Sequence, residues 1–152
     1  NGKAQEFGGT LVVGQSGKIM LVNKQAGEAG LFEPNYSVRA SMKVVGIFHT
    51  HPYDGGDTGV SFSGADIATA INNRERISIV QSGSEQFMIM RTSNTSSRVD
   101  YDRLDSQVNS RIQAFVAKGS DFPAASRQAA IEAAKQHGFA YYQGVSGVFK
   151  KQ

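Results

Sequence analysis

His49 and His51 flank a single residue at the point where an apolar run, Lys43 to His49, meets Pro52. The run is crowded with β-branched and aromatic residues and reads as a strand, which Pro52 stops from pairing further. Residues i and i+2 of a strand project to one side, so both imidazoles can face a single ion. Neutral imidazole binds zinc at about 2.0–2.1 Å. The chain has no Cys, so a third ligand must be an oxygen or the remaining His137. Asp66 is the candidate, in the first turn of the helix that follows the loop. Asp54 and Asp57 lie in the loop itself and stand as alternatives. Two imidazoles and one carboxylate suit a catalytic zinc with a position left for water, since a closed structural site takes four protein ligands. The pKa of such a water falls to about 7, and a carboxylate is still wanted to carry its proton to the leaving amine. Glu6, just ahead of Phe7-Gly8-Gly9, is the candidate base. Ser63, one helical turn before Asp66, could donate a hydrogen bond to a tetrahedral oxyanion.

Taken singly, each residue has an ordinary role. Ser63 and Asp66 form a variant capping box at a helix start. Glu6 alone reads as a solvated carboxylate near a chain end. His137, next to Gly138, reads as a helix C-terminal residue favoured by the dipole and is given no metal role. Gly8-Gly9 has no following Lys-Ser/Thr, so it reads as a close backbone approach within a strand rather than a phosphate loop.

The elements that must position these residues follow from punctuation and period. Phe7 to Val13 and Ile19 to Val22 read as a hairpin around the turn Gln15-Ser16-Gly17-Lys18. Residues 23–37 read as a loop, and residues 53–62 as a second one rich in Gly and Asp. A helix opens with Ser63 as N-cap and runs to about Asn72. Ile77–Val80 and Phe87–Arg91 form a second hairpin around Ser82-Gly83-Ser84. Leu104, Val108, Ile112, Phe115 and Val116 recur at helical spacing over 101–118, a stripe expected to pack into the core. An Ala-rich helix over Phe122–Gln136 follows, and Phe139–Phe149 closes the chain as a strand or strand pair. The order predicts an α+β fold with a mixed sheet, flanking helices, and a C-terminal helical pair and strand.

The chain has 152 residues, of which 39% are hydrophobic and 19% charged, which suits one domain (1–152) with a sizeable core and argues against disorder. Sixteen Lys+Arg against thirteen Asp+Glu leave a formal charge of +3, with no dense basic stripe, so nucleic acid is not an expected partner. No apolar run approaches the ~20 residues of a membrane span, and no signal peptide is visible. The absence of Cys excludes disulfides and thiol nucleophiles. The start at Asn1, without Met, predicts excision from something longer.

In combination the site residues resemble a known family. His49-Thr50-His51-Pro52 followed by Ser63-Gly64-Ala65-Asp66 is similar to the JAMM signature of JAB/MPN-type zinc metallopeptidases: His-x-His-Pro, a spacer, then Ser-x-x-Asp. Glu6 matches the glutamate those proteins carry on an earlier strand. The Glu6-Phe7-Gly8-Gly9 opening and the Phe62–Ile67 segment look like the DUF4329-type branch, often found at the C-terminal tip of Rhs and other polymorphic-toxin proteins. The resemblance spans the motif-bearing core, residues 6–91, and leaves the C-terminal helical extension, 101–152, without a family pattern. It implies a JAB/MPN-like (cytidine deaminase-like) sheet, with His49, His51 and Asp66 holding Zn2+, Glu6 activating the water and Ser63 donating to the oxyanion. It further implies hydrolysis of a peptide or isopeptide bond in a protein or peptide substrate. The setting implied is an effector or processing module of a secreted bacterial protein, acting in a target-cell cytoplasm, with a cognate immunity protein as partner. The chain departs from the family in a longer spacer between His51 and Ser63. The helix that precedes the glutamate strand is also missing, which predicts a base close to a fraying end. Two other functions compete: a non-catalytic MPN-like scaffold that binds a partner protein, and a metal-dependent phosphodiesterase or nuclease. The second is disfavoured because multi-ion sites need more His and Asp ligands than this chain offers.

Overall fold

The computed structural model describes residues 5–52 and 57–152. It has an α+β fold: a seven-stranded mixed sheet with three helices. The strands are β1 (Phe7–Val13), β2 (Ile19–Ala26), β3 (Lys43–Thr50), β4 (Ile77–Ser82), β5 (Glu85–Arg91), β6 (Phe139–Val145) and β7 (Val148–Lys151). The helices are α1 (Gly64–Asn72), between β3 and β4, then α2 (Tyr101–Ala117) and α3 (Phe122–Gln136), between β5 and β6. In the sheet the order is β2-β1-β3-β4-β5-β6-β7. Pairs of consecutive strands joined by tight turns are antiparallel, whereas β3 and β4 run parallel, in register from Gly46↔Ile77 to Thr50↔Gln81. A parallel pair needs a crossover, and α1 is that crossover.

The helices cover one face of the sheet. Val80, Phe87, Ile89, Phe139 and Tyr141 point into a core shared with Ile67 and Ile71 of α1, Leu104, Val108 and Ile112 of α2, and an alanine stripe on α3. The periodic stripe of α2 therefore does pack inward as expected, although Val116 at its end is 39% exposed. Alanines at 125, 129, 130, 133 and 134 are fully buried, and their small size lets α3 lie close to its neighbours. On the opposite face, Phe48, Ile79, Met88 and Tyr142 form one cross-strand row with Ile77 and Met90 beside it, all half-buried. Antiparallel sheets tolerate water on one face, and among the described residues no helix lies over this one.

Helix ends follow the chemistry of their caps. Ser63, Asp100 and Asp121 are the N-caps, each accepting from the backbone N–H three residues on. The C-terminal end of α1 is closed from outside. Arg91, at the end of β5, donates through Nη2 to the carbonyls of Ala70 and Ile71 at 3.0 and 2.9 Å, and through Nε to Glu75 O at 3.0 Å. Its guanidinium also lies over the Phe139 ring.

One expectation needs adjustment. Strand β2 extends to Ala26, where a loop was expected from residue 23. A bulge at Asn23-Lys24 of β2, opposite Gly9, shifts the register so that pairing continues through Gly8↔Gln25 and Phe7↔Ala26, and Asn23 takes a positive φ of 50° there. The C-terminal segment, expected as a strand or strand pair, is the pair, turning through Ser146 and Gly147 at φ 52° and 79°. The connection 27–42 folds back over β1 and β2. It is held by Asn23 Nδ2, which donates to the carbonyls of Asn35 and Ser37, and by Thr10 Oγ1, which donates to Asn35 O.

Further along this connection, Tyr36 Oη donates to Oε1 of Glu75, a carboxyl only 4% exposed, at 2.5 Å. Burial pushes Glu75 up to about 7, above its unfolded value near 4.5. The folded state therefore holds a proton that the unfolded state releases between those values, so stability falls as pH rises from about 4.5 to 7. Replacement by Gln removes the titrating group. Chemical denaturation across pH 4.5–8 should show Glu75→Gln losing less stability with rising pH than the wild type. The difference should be on the order of 3 kcal/mol, from about 1.4 kcal/mol per unit of pKa.

Candidate metal centre

The candidate site lies where the start of β1, the end of β3 and the first turn of α1 converge. Glu6 precedes β1, and its backbone is tied on both sides: its N–H donates to Glu28 O at 3.1 Å and its carbonyl accepts from Gly27 N at 2.7 Å. Phe7 N donates to Thr50 Oγ1 at 3.0 Å. The carboxylate is thereby placed inside the structure, 6% exposed, rather than on a fraying end or in solvent. Gly8 pairs with His49. A Cβ at Gly8 would stand 2.4 Å from Phe48 O, 2.7 Å from Phe32 Cζ and 2.9 Å from His49 Cβ, so the glycine is what lets these groups close together. The close backbone approach expected of Gly8-Gly9 is present.

His49 sits within β3, 1% exposed, with the Phe32 ring stacked at 5.9 Å and nearly parallel. His51 lies just beyond the strand end, yet its N–H still reaches Gln81 O of β4 at 2.9 Å, which continues the parallel pairing. The two imidazoles do face one point. Their Nε2 atoms are 3.2 Å apart; His49 Nε2 is 3.2 Å from Asp66 Oδ1, and His51 Nε2 is 3.4 Å from Asp66 Oδ2. Ligand atoms at about 2.0–2.1 Å from a tetrahedral zinc are separated by about 3.3 Å. The two Nε2 atoms have that separation and each lies at about it from one of the two Asp66 oxygens, and the donor set of two imidazoles and a carboxylate fits such an ion. Among the described residues, His49, His51 and Asp66 are the group able to hold a metal. Asp57 is exposed and outside this group, while Asp54 lies outside the described residues.

The partners of the ligands set their orientation. His51 Nδ1 lies 3.2 Å from Val60 O; carrying the proton there, it leaves the Nε2 lone pair for the site. His49 Nδ1 is buried with no such partner among the described residues. Asp66 accepts from Ser63 N at 2.8 Å and Ser63 Oγ at 2.8 Å, and its own N–H donates back to Ser63 Oγ at 3.1 Å. The capping box and the ligand are thus one structure. Ser63 lines the cleft, but its single hydroxyl proton is engaged on Asp66 rather than offered to a substrate oxygen.

Burial pushes Glu6 above the ordinary carboxyl range, against the pull of His49 and His51 and with the help of Asp66. Burial acts on Asp66 in the same sense, but the two imidazoles outweigh it and hold Asp66 well below its usual value. His51 is raised, because Asp66 and Glu6 prevail over the opposing effect of burial. Glu6, His51 and Asp66 line, together with Ser63, one cleft of about 240 Å³.

Further wall residues include Leu31 and Phe32 from the 27–42 connection, Thr69 on α1, and Tyr101 at the start of α2. Sequence reasoning missed them, since a loop Phe and a helix-opening Tyr carry no spacing that says which surface they meet. Tyr101 also borders a larger open cleft of about 1070 Å³ with Arg74 and Arg98 on its sides. His137 remains remote in role: it is the C-cap of α3, with Nδ1 at 3.1 Å from Ser96 Oγ.

The site makes a direct prediction. Mass spectrometry of protein purified without a histidine tag should find about one zinc per chain, as a catalytic zinc site requires. His51→Ala and Asp66→Ala should each lose it while keeping the circular dichroism of the fold. Zinc retained by both variants would show that the ion binds elsewhere. Compared with protein-family models, with curated proteins and with solved structures, the chain matches none.

Proposed function

We propose that the chain is a zinc-dependent hydrolase of the JAMM type, built on a JAB/MPN-like form of its α+β fold, that cleaves a peptide or isopeptide bond. The observation that carries this reading is the burial of Glu6 in the cleft that His51 and Asp66 line, with His49 Nε2 3.2 Å from both of them. A carboxylate taken out of water beside three metal-ligand side chains costs stability, and a metal-dependent proton transfer accounts for its presence. His49, His51 and Asp66 would hold the zinc. The chemistry such an ion supplies when bound is polarisation of a carbonyl and acidification of a water.

Glu6 is the base. Its position, fixed by the Glu28 and Gly27 backbone bonds, puts the carboxylate in the cleft. Raised by burial, it is better matched to taking a proton near neutral pH than a surface glutamate, and it then returns that proton to the leaving nitrogen. Ser63 serves the oxyanion only if its proton leaves Asp66, so in the arrangement described it acts first to orient that ligand. Leu31, Phe32 and Tyr101 form the apolar and aromatic walls that meet the substrate chain.

Placement as the effector or processing module of a secreted bacterial protein, acting in a target-cell cytoplasm against a protein substrate and countered by an immunity protein, is supported by the resemblance of the Glu6–Gly9 and Phe62–Ile67 segments to the DUF4329-type branch. The scaffold reading has one observation of its own, the half-buried apolar row Phe48-Ile79-Met88-Tyr142 on the uncovered sheet face. It leaves the buried Glu6 and the ligand triangle without a purpose.

Glu6→Gln separates the two readings. With zinc bound at the wild-type level, the variant should lose about 10²–10⁴-fold in kcat on a peptide or isopeptide substrate. Full activity in Glu6→Gln would remove the base assignment. Zinc-loaded wild type inert on a broad panel of peptides and isopeptide-linked proteins would favour the scaffold.

A further inference from the structure

We infer that Asp105, on α2, is a positioning residue that holds Asp66 in place for metal binding. This rests on the reading of Asp66 as a ligand, and not on hydrolysis. The two halves of the ligand triangle stand on different elements, with the histidines at the end of β3 and Asp66 in the first turn of α1. Their relation depends on whatever fixes that turn. Its N–H groups have no partners within the helix and must find them elsewhere. Asp66 N is taken by Ser63 Oγ, within the same turn. Ala65 N, the residue before the ligand, is taken by Asp105 Oδ1 at 2.9 Å, across forty positions of sequence.

Asp105 is itself steadied. Its Oδ2 accepts from Asn109 Nδ2 at 3.2 Å, one turn along α2. The contact is close because Gly64 has no side chain: a Cβ there would stand 2.5 Å from Asp105 Cα and 2.7 Å from Leu104 O. The first turn of α1 therefore rests on the backbone of α2. The far end of α1 is tied to the approach to α2 as well, since Asn72 Oδ1 accepts from Val99 N at 2.9 Å and Asn72 Nδ2 donates to Val99 O at 3.2 Å. With α1 clamped at both ends, a change at Asp105 shifts the Asp66 carboxylate against histidines that stay fixed on the sheet. Part of the C-terminal extension thus becomes a component of the metal centre while contributing no ligand to it.

Position and charge are separable here. Asp105→Asn keeps an acceptor at the same reach and removes the charge. Asp105→Glu keeps the charge and lengthens the side chain, which pushes against the Gly64 turn. Asp105→Ala removes the acceptor altogether. Zinc affinity of each full-length variant is read by competition with a chromophoric chelator, with circular dichroism as the check on folding. The expected result is a dissociation constant raised about 10–100-fold in Asp105→Ala, the range for partners that orient metal ligands. Asp105→Glu should also be weakened and Asp105→Asn should stay near wild type. If Asp105→Ala fails to fold, the Asn and Glu variants decide the matter alone. The reverse order, with Glu like wild type and Asn weakened, would show a charge effect and overturn the inference, as would wild-type affinity in a folded Asp105→Ala. Tight zinc binding without hydrolysis would defeat the hydrolase reading and leave this one standing, whereas a wild type that binds no zinc would end both.

Discussion

Everything at the candidate metal centre depends on how the first turn of α1 finds partners for its N–H groups. A helix start has four such donors without acceptors inside the helix, and a start facing the interior cannot leave them to water. Here the supply comes from a reciprocal Ser63–Asp66 cap within the turn and from Asp105 on a neighbouring helix. The cap requires a carboxylate at Asp66, and the parallel β3–β4 pairing requires the crossover that brings this carboxylate back over the end of β3. Helix termination, sheet topology and ligand placement are therefore one problem with one solution. That solution also carries an electrostatic bonus, since an anionic side chain belongs at the positive end of the helix dipole.

The cluster itself is a local cost that the rest of the fold sustains. Glu6 and Asp66 bring two carboxyl groups to two imidazoles in a cleft shielded by Phe32 and Leu31. Buried charge is tolerated where it is paired, and here the two imidazoles hold Asp66 down while burial pushes Glu6 up. A divalent cation would add the positive charge that the pair of carboxyl groups invites. The apolar mass that supports this arrangement is the layer of α1, α2 and α3 against the inner sheet face, where fully buried Ile67, Ile71, Val80, Phe87 and Val108 meet.

Much of this was legible in the sequence because it is local. The β-branched run ending in His-Thr-His-Pro places β3, the Ser-x-x-Asp step places the helix start, and apolar period marks α2 and α3. The ligand triangle follows from two such segments once the crossover is assumed. What escaped depends on tertiary contact. The exposed reading of Glu6 failed because backbone bonds to Gly27 and Glu28 draw the residue inward, and nothing in its neighbours announces that pairing. Asp105 and Arg91 look like ordinary charged residues on a helix and at a strand end, yet each satisfies the backbone of α1 from a distant position. The end of β2 was misread because Gly27, Gly30 and Pro34 mark residues 23–37 as a loop, whereas the bulge at Asn23-Lys24 that carries pairing on to Ala26 depends on β1. Beyond these, an unlabelled aromatic such as Phe32 or Tyr101 becomes a cleft wall only when the elements are assembled.

The two outer strands have a consequence for how the sheet ends. An edge strand presents unpaired backbone groups that another chain can use to extend the ladder. On one side β7 is only four residues long and finishes on Lys150 and Lys151, both exposed. On the other, the ladder of β2 is interrupted at Asn23, and the side chains of Asn23 and Gln25 are occupied with the carbonyls of residues 33, 35 and 37. A strand arriving at the first edge would align with two ammonium groups, and one arriving at the second would meet a backbone already twisted out of register. The same positive φ that lets β2 reach Glu6's neighbourhood thus also serves as a stop, limiting the sheet to seven strands and guarding an apolar outer face from edge-to-edge growth.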